Sequence, residues 1–165
     1  YGNVKLCIEN TIRTFNYQAH TKILIARISN PYGPGQDFNK GVGFIDAAIK
    51  KTIRSEKIEI WGDGNNVRDY IYIDDVCRML ISLFYYQEDY DTFNISSNTG
   101  TSQRDVIRML EAMQLAPQVE YLPARSVDAK KIILNNERIM SIHAVPLVPV
   151  EQGIRKYYQW LKKEI

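Results

Sequence analysis

The chain has 165 residues, 45% hydrophobic and 24% charged, enough for one globular domain with a real core and with no sign of disorder. Its 21 basic and 19 acidic residues leave a net charge of +2 without any basic block, which argues against wholesale nucleic-acid binding. No run approaches the roughly 20 apolar residues of a membrane span and no N-terminal stretch has the order of a signal peptide, so the chain is expected to be soluble and cytoplasmic, with no membrane partner.

Residues 1–18 carry a helical pattern with Val4, Ile8, Ile12 and Phe15 on one stripe. No capping residue precedes it, so the sequence looks cut inside a helix. Tyr1 and Lys5 stand one turn apart and face the same way. Residues 22–28 (KILIARI) read as a buried strand, apolar nearly throughout, as in a sheet covered on both faces. Residues 30–36 (NPYGPGQ) then break regular structure, and such a loop at the carboxyl end of a buried strand is where open α/β sheets place their ligands. Residues 43–51 are predicted as a helix with Phe44, Ala47 and Ala48 on its apolar side, and residues 57–61 as a short alternating strand.

The most informative stretch follows, residues 61–75 (WGDGNNVRDYIYIDD). Gly62, Asp63, Gly64, Asn65 and Asn66 form a turn cluster, and the β-prone run from Tyr70 to Ile73 comes after it. Arg68 therefore sits where a loop enters a strand. Its planar fork of donors suits phosphate or carboxylate, with Asp69 placed to orient the guanidinium. Asp74 or Asp75 is expected to cap a helix over 76–86 with Val76, Met79, Leu80 and Leu83 inward. Residues 92–95 read as a buried strand, Thr101 or Ser102 as the cap of a helix to about 114, residues 119–122 and 132–134 as strands, and 150–164 as a last helix with Ile154, Tyr158 and Leu161 inward. Cys7 and Cys77 fall inside helical patterns and are expected to be small packed side chains. His20 and His143 have no ligand-spaced partner, so no metal site is expected.

Five stretches, in order, resemble the C-terminal half of an NAD-dependent nucleotide-sugar epimerase/dehydratase of the extended short-chain dehydrogenase/reductase family, of the UDP-glucose 4-epimerase type. Tyr1-Gly2-Asn3-Val4-Lys5 is similar to that family's Tyr-x-x-x-Lys helix, and residues 27–36 (RISNPYGPGQ) to its R-x-x-N-x-Y-G-P-G-Q loop. Residues 61–75 resemble its G-D-G…R-D-Y-I-x-V-x-D segment, Phe93-Asn94-Ile95-Ser96 its returning Y-N-I-G strand, and Arg125 with Asp128 its late Arg-x-x-Asp.

The resemblance implies an α/β fold comprising the last part of a Rossmann-type parallel sheet (residues 1–30 and 90–100) and the smaller nucleotide-sugar-binding α/β subdomain (31–89 and 101–165). It implies reversible oxidation of a sugar hydroxyl through a keto intermediate, with Tyr1 as base, its phenol made more acidic by the Lys5 ammonium. Tyr1, Lys5 and Pro31 would meet the NAD; Asn30, Gly41, Val42, Ile60, Trp61, Arg68, Arg125 and Asp128 would meet a nucleoside-diphosphate sugar, a UDP-sugar in this type. The family's glycine-rich dinucleotide turn would lie before Tyr1, so this stretch alone is expected neither to bind NAD nor to be active. A dehydratase or reductase of the same family, or a non-catalytic nucleotide-sugar-binding module, are the other readings. The apolar stripe of the first helix and the edge of strand 22–28 imply a homo-oligomer.

Overall fold

A computed structural model describes residues 2–36, 43–125 and 129–164. In chain order the elements are α1 (Gly2–Ala19), β1 (Ile25–Ile28), β2 (Asn30–Tyr32), α2 (Phe44–Ile53), β3 (Lys57–Trp61), β4 (Val67–Tyr72), α3 (Ile73–Phe84), β5 (Thr92–Ile95), β6 (Gly100–Ser102), α4 (Gln103–Ala112), β7 (Gln118–Leu122), β8 (Lys131–Ile132), α5 (Glu137–Ile142) and α6 (Val150–Glu164). Strands pair in three groups. β1 runs parallel to β5, β3 runs parallel to β7, and β4 lies between β2 (parallel) and β6 (antiparallel), with β8 joining it in parallel. Parallel pairs joined through helices are the mark of an α/β fold.

Two apolar clusters sit on either side of β4, because successive side chains of a strand point to opposite faces. Tyr70 and Tyr72 face the first, with Tyr32, Ile45, Ile49, Ile58, Ile60, Leu110, Ile154 and Leu161. Ile71 faces the second, with Val76, Met79, Leu83, Phe93, Ile95 and Ile139. Of the four inward residues of α3 named from periodicity, Val76, Met79 and Leu83 are buried there and Leu80 is half-buried against them. Its start differs from expectation: Tyr72 occupies the cap position without a side-chain bond, and Asp75 instead turns inward to accept Val148 N–H at 2.8 Å and pair with Arg78. Ser102 does cap α4, in a reciprocal box with Asp105.

The inward face of α2 also differs. Ile45, Ala48 and Ile49 are buried, with Asp46 and Lys50 among them, while Phe44 and Ala47 are half-buried. Lys50 Nζ bonds the Asp46 carboxylate at 2.9 Å, and Tyr157 Oη from α6 donates to Asp46 Oδ1 at 2.5 Å. Two charges one helical turn apart are thereby neutralised inside the core, which a pattern of apolar residues alone conceals.

α6 crosses the first cluster with Ile154, Tyr157 and Leu161 fully buried, each contributing about 1.5–3 kcal/mol of burial. Gly153 lets it approach β2: a Cβ there would overlap Tyr32 Oη and lie 2.9 Å from its Cζ. Alanine is ordinarily the better helix former by roughly 1 kcal/mol, yet overpacking of this kind costs about 1–3 kcal/mol. Gly153→Ala is therefore expected to lower the urea midpoint, and a raised midpoint would mean that Tyr32 moves aside without cost.

β1 is less covered than its apolar sequence predicts. Only Ile25 is buried, Ile28 is 42% exposed, and no strand among the described residues pairs with its other edge. α1 reaches this sheet through charge: Arg27 donates from Nε and Nη2 to Glu9 at 2.8 and 2.6 Å, and Arg13 bonds Asp91 and Thr92. Its predicted apolar stripe faces outward, with Val4 61% and Phe15 50% exposed. Cys7 and Cys77 are likewise exposed and free, not packed.

The Arg27 hydrogen bonds, then the charges of Arg27 and Arg13, hold the Glu9 carboxyl below its ordinary 4.5 against the opposing effect of burial. A carboxyl lowered on folding contributes stability that is present above its unfolded value and lost as pH falls through the folded one. Melting temperature is expected to drop below about pH 4.5, and Glu9→Gln to flatten that part of the profile in circular-dichroism melts.

Candidate functional site

The turn at residues 62–66 delivers the chain into β4, and the parallel register sets Asn30 beside Tyr70 and Pro31 beside Ile71. Arg68, Tyr70 and Asn30 thus share one side of the β2–β4 pair. They line a cavity of about 220 Å³, closed by the start of α2 from Gly43 to Asp46, by Trp61 and Asn66, and by Gln103 at the start of α4. Asn30 Nδ2 donates to Asp69 O at 2.9 Å, tying the two strands together at the cavity wall.

Arg68 is half-buried. Its Nη1 donates to Val67 O at 2.9 Å and to Ala129 O at 2.7 Å, which fixes the plane of the guanidinium. No partner among the described residues takes its other N–H groups. The expected orientation of Arg68 by Asp69 does not occur, because neighbours on a strand face opposite sides. The Asp69 carboxylate is fully buried behind the cavity, accepting from Ser97 N and Oγ, Asn98 N, Leu134 N and, at 3.4 Å, Ser29 Oγ.

Asp46 is the acidic residue on the cavity wall, but Lys50 and Tyr157 already bind its carboxylate. Among the described residues the guanidinium of Arg68 is therefore the uncompensated charge in the cavity. Burial pushes the Tyr70 phenol up to about 12, with Arg68 pulling the other way, and burial raises Tyr32 further. Both remain neutral hydroxyls at pH 7, so neither serves as a base.

Trp61 closes β3. Its neighbour Ile60 is 0% exposed with its side chain in the core, so Ile60 can meet a ligand only through its backbone. The indole also lines a second cavity of about 430 Å³, which shares Asn66 and holds Arg125 and Lys130. The Arg125 guanidinium stacks 3.7 Å from the Trp61 ring centroid. Pro31 likewise lines a third cavity, of about 230 Å³, formed by the glycine turn after β2. Gly33 makes that turn with φ 137°, where a Cβ would meet Ile73 Cγ2 at 2.6 Å.

Of the residues named from sequence, Asn30, Pro31, Trp61 and Arg68 come together in one cavity and Arg125 lies in the adjoining one. Lys5 stands on α1 and does not line this cavity. Tyr1, Gly41, Val42 and Asp128 lie outside the described residues. Sequence reasoning did not single out the other lining residues, Tyr70, Asn66 and Gln103 among them. Strand period places Tyr70 on the same side as Arg68, so alternation would have found it; Gln103 carries no signal in sequence.

Chemically, a fixed guanidinium beside neutral amides, hydroxyls and an indole suits an anionic ligand that also carries a flat or apolar part. Residues 1–96 match the NAD dependent epimerase/dehydratase family, and the chain belongs to it. It is 30% identical to dTDP-L-rhamnose 4-epimerase of Burkholderia thailandensis over 169 residues, covering 100% of this chain and 47% of that protein. It is also 30% identical to dTDP-4-dehydro-6-deoxyglucose reductase of Escherichia coli over 158 residues, covering 94% and 50%. The UDP-glucose 4-epimerase of Thermotoga maritima, solved with UDP-glucose, superposes with a TM-score of 0.90 at 28% identity over 99% of this chain and 53% of that one. The chain spans about half the length of the curated relatives it matches. Its fold is the α/β fold of these enzymes, and no helix among the described residues is long and apolar enough to cross a membrane.

Proposed function

We propose that this chain supplies the nucleotide-sugar side of an NAD-dependent nucleotide-sugar 4-epimerase acting on a UDP-sugar. The observation that carries the reading is Arg68, a half-buried guanidinium held by two carbonyls with its remaining donors uncommitted among the described residues. Arg68 would grip the diphosphate and Arg125 would join it from the adjoining cavity. Asn30 would add a neutral donor, and Trp61, with the backbone of Ile60, Gly41 and Val42, would shape the base pocket. Asp128 would hold a ribose hydroxyl or orient Arg125. Residues 1–30 and 90–100 would belong to the dinucleotide-binding domain and the rest to the sugar-binding subdomain.

The residues here fit one end of NAD only. Lys5 brings an ammonium on an exposed helix and Pro31 an apolar surface between two cavities, but neither G-x-G-x-x-G nor G-x-x-G-x-x-G occurs in this sequence. NAD, when bound, accepts and returns the hydride of the sugar carbon being inverted. Lys5 would hold the nicotinamide ribose and lower the phenol of Tyr1, and Tyr1 would take the proton of the sugar hydroxyl and give it back. Arg68 and Arg125 would keep the nucleotide fixed while the keto-sugar turns over. We extend the proposal to self-association through the exposed stripe of α1 and the open edge of β1.

The test is to incubate the intact protein with NAD and UDP-glucose and follow UDP-galactose. Interconversion supports the 4-epimerase; loss of water from the sugar without interconversion would replace it with a dehydratase, and, in a parallel incubation with NADH and a nucleoside-diphosphate 4-keto-sugar, reduction of that ketone without interconversion of UDP-glucose would replace it with a reductase.

A further inference from the structure

Gln103 follows the capping Ser102 and opens α4 on the cavity that Arg68 and Asn66 line. Its place is fixed from both sides. Ser102 lies opposite Val67 in the β4–β6 pairing, and Arg104 donates its backbone N–H to Gly64 O at 3.1 Å, clamping the start of α4 to the turn before Arg68. Within this rigid frame the Gln103 Oε1 is buried and has no hydrogen-bond partner among the described residues.

A buried acceptor without a donor is costly to keep, and most such atoms in folded proteins are satisfied. Gln103 lines the cavity, so a ligand held there is placed to supply the missing donor. Diphosphate oxygens of a nucleotide sugar carry no proton at neutral pH and repel a carbonyl oxygen, so they are not its partner. An O–H or N–H is required. On a nucleoside diphosphate these are the ribose hydroxyls and the base N–H, both on the side of the ligand away from the sugar that reacts.

Resting on the reading that Arg68 holds the diphosphate, we infer that Gln103 is a specificity-determining residue: its amide oxygen accepts a hydrogen bond from the nucleoside and so selects which nucleotide the site takes. Gln103→Met keeps the length of the side chain and removes the acceptor. Calorimetry on the intact protein and this variant uses four probes: UDP, inorganic pyrophosphate, 2′,3′-dideoxyuridine diphosphate and 3-methyluridine diphosphate. The variant is expected to bind UDP about three- to tenfold more weakly, the size of one neutral hydrogen bond, and pyrophosphate as well as the parent does.

The loss should vanish with one analogue. Loss of the difference with the dideoxy compound assigns the donor to the ribose, and with the methylated compound to the base. Equal UDP binding by parent and variant would overturn the inference alone, as would an equal loss toward pyrophosphate or a loss that persists with both analogues. Failure of the parent to bind either UDP or pyrophosphate would overturn the diphosphate reading and this inference with it.

Discussion

Replacing Arg68 by Ala is expected to weaken UDP binding to the intact protein by about ten- to a hundredfold, the range for removing a charge-assisted pair of hydrogen bonds. The effect should exceed that of any other single change in the cavity, because the only acid on that wall, Asp46, is neutralised by Lys50 and Tyr157 and no second cation lines it among the described residues. Arg68→Lys should recover less than tenfold. The native guanidinium spends Nη1 on Val67 O and Ala129 O and still has a planar edge for the ligand, whereas an ammonium is a point charge that cannot do both. Thermal melts should barely change in either variant. Affinity for UDP that is unaltered in Arg68→Ala would remove Arg68 from the site.

The largest effect on stability is expected one residue further on. Asp69→Ala leaves the part-buried backbone N–H groups of Ser97, Asn98 and Leu134 without their acceptor, along with the hydroxyl of Ser97. At about 1–3 kcal/mol for each unsatisfied group, less whatever water recovers, a loss of about 3–5 kcal/mol is expected in urea denaturation. That is a large part of the 5–15 kcal/mol typical of a whole domain. Asp69→Asn should also cost about 2 kcal/mol, because an amide has one acceptor oxygen and its NH₂ must then face a donor: Oδ1 meets Ser97 N and Oδ2 meets Asn98 N and Leu134 N. A cost below 1 kcal/mol for the Ala variant would mean that these loops rearrange freely. Asp69 thereby supports the site without touching it, holding the strand that carries Arg68 against residues 96–98.

Much of this site is visible in sequence because it is local. The turn of Gly62 and Gly64 followed by alternating aromatic residues announces a strand, and it places Arg68 at the strand's entrance, where β4 indeed begins at Val67. β3, β5 and α6 start and end where their patterns say: burial alternates along β3, covers nearly all of β5 and recurs along one face of α6. What escaped is non-local. Asp69 looked like a partner for Arg68, yet its donors come from residues 29, 97, 98 and 134. Asp46 and Lys50 turn inward although both are charged, and Tyr157, on the last helix, supplies a partner that the pattern of apolar residues in α2 does not show. The apolar run of β1 promised a covered strand, and the sheet among the described residues pairs it on one edge alone.

The central claim is that the cavity between β4 and the starts of α2 and α4 holds a nucleoside diphosphate. An NMR titration with UDP, read at backbone amides and side-chain nitrogens, tests it most directly. The account predicts progressive shifts at Arg68 Nε, Trp61 Nε1, Asn66, the Gln103 carboxamide and the amides of residues 43–46, with little change around Ser97, Thr99 and Leu147, which line a separate cavity of about 390 Å³. Shifts confined to that other cavity, with Arg68 and Gln103 unmoved at saturating UDP, would contradict it.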